Sequence, residues 1–375
     1  MKKILLIFIF IIISSSFFVA YAEDNTFFNE QLEASGAEEL IDSLPDEVKE
    51  ILEKNNIDEM SASSLLSLSF SDFVKIMLGL LKQQVKKPIT IVCVVLGIVI
   101  LISMLKGFSL SVNDSQSKIF SIVAVCCIAI TVIIPVISSV KDTATGIKQC
   151  SNFMAGYIPV LSGIMMANGQ VTSASSYNLM VFSSSEVIAQ LADDVIVPFI
   201  CIYMAFCIIS AIDESLKLNS AAGLIKTSAN WIIGLISTVF VGMLCVQGFL
   251  GNSVDSVTIR TSKFFISSFV PVVGSAMSEA ITSVSGCLSL LKTTVGVFGI
   301  LVLLIMILPL ILELVIWNLA LNLGAACSDI FGITQISTML RSVSKALMLM
   351  LSVLICVALV FIVSTSVMIM IAAPS

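Results

Sequence analysis

The sequence predicts an all-α, polytopic integral membrane protein with about six transmembrane helices, two internally repeated broken-helix units among them. Three observations carry this. The chain of 375 residues is 58% hydrophobic and only 12% charged, about half the charged share of an ordinary soluble domain. Its apolar residues gather into runs of the length that a bilayer core of roughly 30 Å requires. Its first residues have the form of an export signal.

Residues 1–22 read as a secretory signal peptide. Lys2 and Lys3 begin it, residues 4–13 form an apolar core, and Ala20-Tyr21-Ala22 supplies an A-x-A cleavage site. The apolar core is too short for a span of about 20 residues. The alternative is an uncleaved signal-anchor running through Val19.

Residues 23–87 read as an acidic extracytoplasmic segment ending in an amphipathic helix. Thirteen of the 25 acidic residues fall in 23–60, against Lys49 and Lys54 as bases. Leu40, Ile41, Leu44, Val48, Ile51 and Leu52 recur at helical spacing, and Pro45-Asp46-Glu47 suits a helical first turn. From Phe70 to Val85, Phe73, Val74, Met77, Leu80 and Leu81 line one face while Lys75 and Lys82 lie off it. Such a helix is expected to lie on the membrane surface before the first span.

The membrane domain then occupies 88–375. Six runs are long and apolar enough to span: 89–105, 119–140, 195–212, 231–250, 295–321 and 346–373. Two more stretches, 147–192 and 264–291, are apolar but rich in Ser, Gly and Pro. They read as re-entrant hairpins or as further spans. Basic residues fall about equally on both sides, so the positive-inside rule sets no orientation. The signal peptide alone places the mature N-terminus outside.

The chain repeats itself at an offset of about 112 residues, with units near 119–228 and 231–343. Phe153, Tyr157, Pro159 and Val160 answer Phe265, Phe269, Pro271 and Val272; Pro198 answers Pro309, and Lys226 answers Arg341. With re-entrant hairpins the repeats are parallel. Repeated units with interrupted helices point toward a transport path, since broken backbone in a membrane persists only where protein or water satisfies it. The plainer reading is that Pro159 and Pro271 kink packed helices.

The candidate polar residues follow from the same logic. Glu186, Gln190, Asp193 and Asp194 make one stripe leading into the third span, and Glu313 stands one turn after Pro309 in an otherwise apolar run. A carboxylate at bilayer depth costs about 2.5–3.5 kcal/mol or more unless it is neutral, paired or wet. These acids either line a permeation path or, more plainly, form a solvated helix start and a structural pair of Glu313 with a base or with Asn318.

No catalytic, cofactor or metal site is expected. The chain has no histidine, so catalytic triads and imidazole ligands are excluded. Its ten cysteines lie outside the acidic segment, mostly within apolar runs, and show no Cys-x-x-Cys spacing. They read as packing residues. No basic stripe with interleaved aromatics marks a nucleic-acid partner; the lipid bilayer is the expected surrounding.

Two stretches resemble a known family. Leu44-Pro45-Asp46-Glu47-Val48 follows the signal, and Lys263-Phe264-Phe265-Ile266-Ser267-Ser268-Phe269-Val270-Pro271-Val272-Val273-Gly274 lies in the membrane body. Together with the length and span order, they are similar to the stage III sporulation protein AE family of endospore-forming bacteria. The resemblance covers essentially the whole chain. It implies a mother-cell protein in the membrane around the forespore, partnered by other membrane proteins of the stage III apparatus and acting as a subunit of a channel-like or secretion-like machine. A stand-alone secondary transporter and a non-conducting scaffold are the competing readings.

Overall fold

The computed structural model describes residues 31–37, 39–42, 44–54, 70–108, 114–212, 223–244, 246 and 274–370. The signal sequence and Pro271 lie outside the described residues. Among the described residues the chain is helical and contains no strand.

Past a short turn at Glu39–Asp42, the helices run α1 (Asp46–Lys54), α2 (Phe70–Phe108), α3 (Asp114–Ala167) and α4 (Val171–Gln190). A π-helical turn, Leu191–Ile196, joins α4 to α5 (Val197–Ile212). Then come α6 (Gly223–Leu244), α7 (Gly274–Ile330) and α8 (Thr334–Met370). Six stretches within them are long and apolar enough to cross a membrane, beginning at Val85, Ile122, Val171, Gly223, Val284 and Thr334. Each overlaps one of the six expected runs.

The lengths differ from expectation. The expected surface helix and first span are one continuous helix, α2, with Pro88 inside it. Residues 70–85 can lie along the membrane only if α2 bends at that proline. The stretch 147–192 is not a separate element. Residues 147–167 prolong α3 through Pro159, and 171–190 form α4, so the two make a long hairpin continuous with the spans on either side. Likewise 274–291 is simply the beginning of α7. Prolines persist inside these helices because packing neighbours and water can satisfy the freed carbonyls.

Both long hairpins close with the same motif. At the α3–α4 turn, Gln170 N–H donates to the Met165 carbonyl and Gly169 N–H to that of Met166, each at 2.9 Å, with Gly169 at φ 82°. At the α7–α8 turn, Ile333 N–H donates to Ser328 and Gly332 N–H to Asp329, each at 3.0 Å, with Gly332 at φ 69°. These are Schellman caps, whose left-handed residue is nearly always glycine. Asn168-Gly169 and Phe331-Gly332 are therefore the sequence marks of the turns.

α8 is the central post. Val343, Leu347, Met350, Leu354 and Phe361 are each fully or almost fully buried along it. Its height against its neighbours is fixed by contacts. Ile369 lies over Gly296 of α7, while Leu340 meets Gly324, which also touches Val95 of α2. Higher up, Val353 and Val360 share a small cavity with Ile232 and Ile236 of α6 and with Leu191 and Ile196. The acidic segment caps the bundle from one side. Leu40, Leu44, Val48 and Leu52 are buried, and Leu40 comes over Gly156 of α3.

Candidate functional site

Glu313 stands half-buried on α7, where α7 crosses α3. The facing part of α3 is small. Gly146 lies so close to Leu310 that a Cβ there would overlap it. One turn away, Ser139, Asp142, Trp317 and Lys87 of α2 are the polar and charged groups that act on the Glu313 carboxyl. Ser139 is 1% exposed, and its buried hydroxyl acts on the Glu313 carboxyl. Asp142 accepts a bond from Ser138 at 3.4 Å. Three helices thus bring two carboxylates, an ammonium and a buried hydroxyl together. Asn318, an expected partner, is engaged elsewhere. Its amide donates to the Ser344 hydroxyl at 2.8 Å, as does Asn322.

The acidic stripe falls across the π-turn. Gln190 donates to Glu186 at 2.8 Å on α4, while Asp193 and Asp194 sit in the turn itself. Pro198 is the reason for the irregularity. It has no N–H for the Asp194 carbonyl, and Val197 N–H reaches back to Ala192, five residues away. All four stripe residues remain exposed. The structure therefore separates them from Glu313, which packs against another face of α3. Pro159 is exposed on α3.

A second polar cluster was not expected. Lys292 is 2% exposed inside α7. Its ammonium donates to Gln170 Oε1 at 3.4 Å. Gln170 is the residue preceding α4, yet its side chain does not cap that helix. Beside it, Asn168 donates to Ser289 at 3.0 Å and accepts from Ser285 at 2.7 Å. Ser285, Ser289, Lys292 and Gly296 form one row on α7, and that row clasps the α3–α4 turn. The signal was present in the sequence. Lys292 shares its helical face with Leu288 and Val295, so a base had to lie on an apolar face. It also falls between two stretches read as ending at 291 and beginning at 295. Among the described residues no group of acids and cysteines is arranged to hold a metal ion.

An all-helical body whose helices are apolar over more than bilayer length defines an integral membrane protein rather than a soluble one. The profile of one family, stage III sporulation protein AE, matches residues 53–372. The chain belongs to the stage III sporulation protein AE family. It is similar to the stage III sporulation protein AE of Bacillus subtilis (strain 168), with 26% identity over 261 residues, covering 68% of this chain. The match spans 65% of that relative's length. No solved structure matches the chain.

Proposed function

We propose that this protein is a membrane subunit of a channel-like or export apparatus that links mother cell and forespore during sporulation. In this reading it is made in the mother cell, sits in the membrane surrounding the forespore, and carries its acidic N-terminal segment on the extracytoplasmic side. Other membrane proteins of the stage III apparatus are its partners. Family membership supports the sporulation role. The observation that carries the transport part is the meeting of Glu313, Asp142, Lys87 and Ser139 from three helices, because charged groups gathered where apolar helices meet serve a polar path more readily than an anchor. The stripe from Glu186 to Asp194 and the internal repeat marked by Pro159 and Pro271 belong to the same proposal, although α3 runs unbroken through Pro159.

The same cluster also suits a self-sufficient secondary transporter, with Glu313 exchanging a proton or cation against Lys87. Affinity purification from sporulating cells separates the two. Co-purification of a set of other membrane proteins is the expected result. A chain that purifies alone and moves a solute in proteoliposomes would replace the apparatus by the transporter, and one that does neither would leave the scaffold.

A further inference from the structure

The outer face of α6 carries large apolar side chains along its whole length, with Thr227, Ser228 and Thr238 as uncharged polar residues among them. Leu224, Trp231, Leu235, Val239 and Met243 are 50–72% exposed, and Lys226 is the helix's sole charge. Its 22 residues give about 33 Å, the thickness of a bilayer core. Its inner face fixes its height. Ile232 and Ile236 share a cavity with Leu191 and Ile196, and the Leu244 carbonyl receives the Tyr177 hydroxyl at 3.5 Å. Height for height, α6 therefore stands beside the chain from Tyr177 past Asp194.

At those heights the α3–α4 hairpin exposes charge on both arms. Lys141, Thr145, Lys148, Gln149 and Asn152 are exposed on α3, and Glu186, Gln190, Asp193 and Asp194 on α4 and the π-turn, beside the exposed Leu179, Phe182 and Val187. Both arms rise at one rate from the turn at Gly169, so Lys148 stands opposite Gln190, between the heights of Glu186 and Asp193. Lys141 stands one turn beyond Asp194. Among the described residues none of these two lysines and three acids is ion-paired, whereas Arg341 pairs with Asp329. Asp142, the acid on the basic side, acts on Glu313 instead. Leu235 and Asp193 cannot both face lipid at one depth, because a charge there turns to protein or water.

We propose that the polar face of α3 and α4 is where two copies of this chain pack together in the membrane. Water would solvate either sign anywhere on the face. It gives no reason for lysines on one arm and acids on the other at interleaved heights. A two-fold axis along the membrane normal, placed between the arms, sets the Lys141 and Lys148 side of each copy against the Glu186, Asp193 and Asp194 side of the other. The proposal needs α6 in the bilayer and does not depend on a role in sporulation.

Photo-crosslinking tests it on the full chain in membranes of sporulating cells, with two co-expressed copies carrying different tags. Benzoylphenylalanine at Gln149 or Gln190 is expected to link the two tags on illumination, and at Val239, on the outer face of α6, it is not. Lys148→Glu in both copies should cut the linked yield about fivefold, and adding Asp193→Lys and Asp194→Lys should restore it. Yield is read per copy in the membrane fraction. If Lys148→Glu does not accumulate there, Asp193→Lys with Asp194→Lys alone should show the same loss. Links only to lipid or to another protein, no link from either position, or a yield indifferent to both charge reversals overturns the proposal.

Discussion

Tyr157 of α3 reaches across to α7 and donates its hydroxyl to the carbonyl of Gly296, 3.4 Å away, while its ring lies against Gly299 with no room for a side chain between them. Both arms of that contact are buried. The two glycines are there because an aromatic ring and the tip of Ile369 occupy the space that their side chains would take.

The contact makes an asymmetric pair of substitutions. At Gly299 a methyl group meets a rigid ring, and Gly299→Ala should destabilise the fold by about 1–3 kcal/mol. At Gly296 the obstacle is the flexible end of Ile369, so Gly296→Ala should cost less. Thermal unfolding of the purified protein in detergent checks the order. Equal losses would mean that the ring is free to move.

Glu313 separates function from packing. If it serves a polar path, Glu313→Gln should abolish sporulation while the protein stays abundant in the membrane, because size and hydrogen bonding are nearly kept and charge is lost. If it is structural, Glu313→Gln should be tolerated and Glu313→Leu should lower the membrane level, because Ser139 and Trp317 lose the carboxyl they act on. Sporulation efficiency and membrane abundance are measured together. Normal values for both variants would remove Glu313 from the proposed path.

Lys292 offers a similar division. Lys292→Met keeps the length and apolar packing and should fold, with a cost near neutral, since burying an ammonium is itself expensive. Lys292→Glu sets a carboxylate against the Gln170 carbonyl oxygen and should cost about 3 kcal/mol or more. Protease resistance of the α3–α4 turn reports the clasp directly. A Lys292→Met protein that folds but does not support sporulation would give the charge a role beyond the clasp.

Orientation is testable from one position in the acidic segment and one between α5 and α6. Ser35→Cys, in a background without the native cysteines, should react with an impermeant maleimide from outside the cytoplasm, and Ser220→Cys from inside. Labelling of position 35 from the cytoplasmic side alone would reverse the orientation.

The existence of six spanning helices was legible, because lipid demands long apolar runs and little else produces them. Their true lengths were not. Hydropathy falls where Ser138, Lys141, Asp142 and Lys148 interrupt α3, yet the backbone hydrogen bonds run on regardless of which side chains face outward. Glu313 was legible as a lone carboxylate, while its neighbours Ser139 and Lys87 come from other helices and no local pattern announces them. Lys292 was hidden by the opposite fault, a single base read as the edge of a span rather than as the middle of a helix.

The contacts along α8 have one more consequence. Leu340 is level with Val95, near the middle of the apolar part of α2, whereas Val353 to Val360 are level with the middle of α6. At ~1.5 Å per residue the two mid-points are offset by about 25 Å. A flat hydrocarbon layer of roughly 30 Å that is centred on one of them leaves most of the other bare. The lipid boundary around a lone copy is therefore stepped rather than planar, and the mismatch carries an elastic cost that a thicker membrane reduces. A protein of this shape would be drawn to membrane thicker than its surroundings.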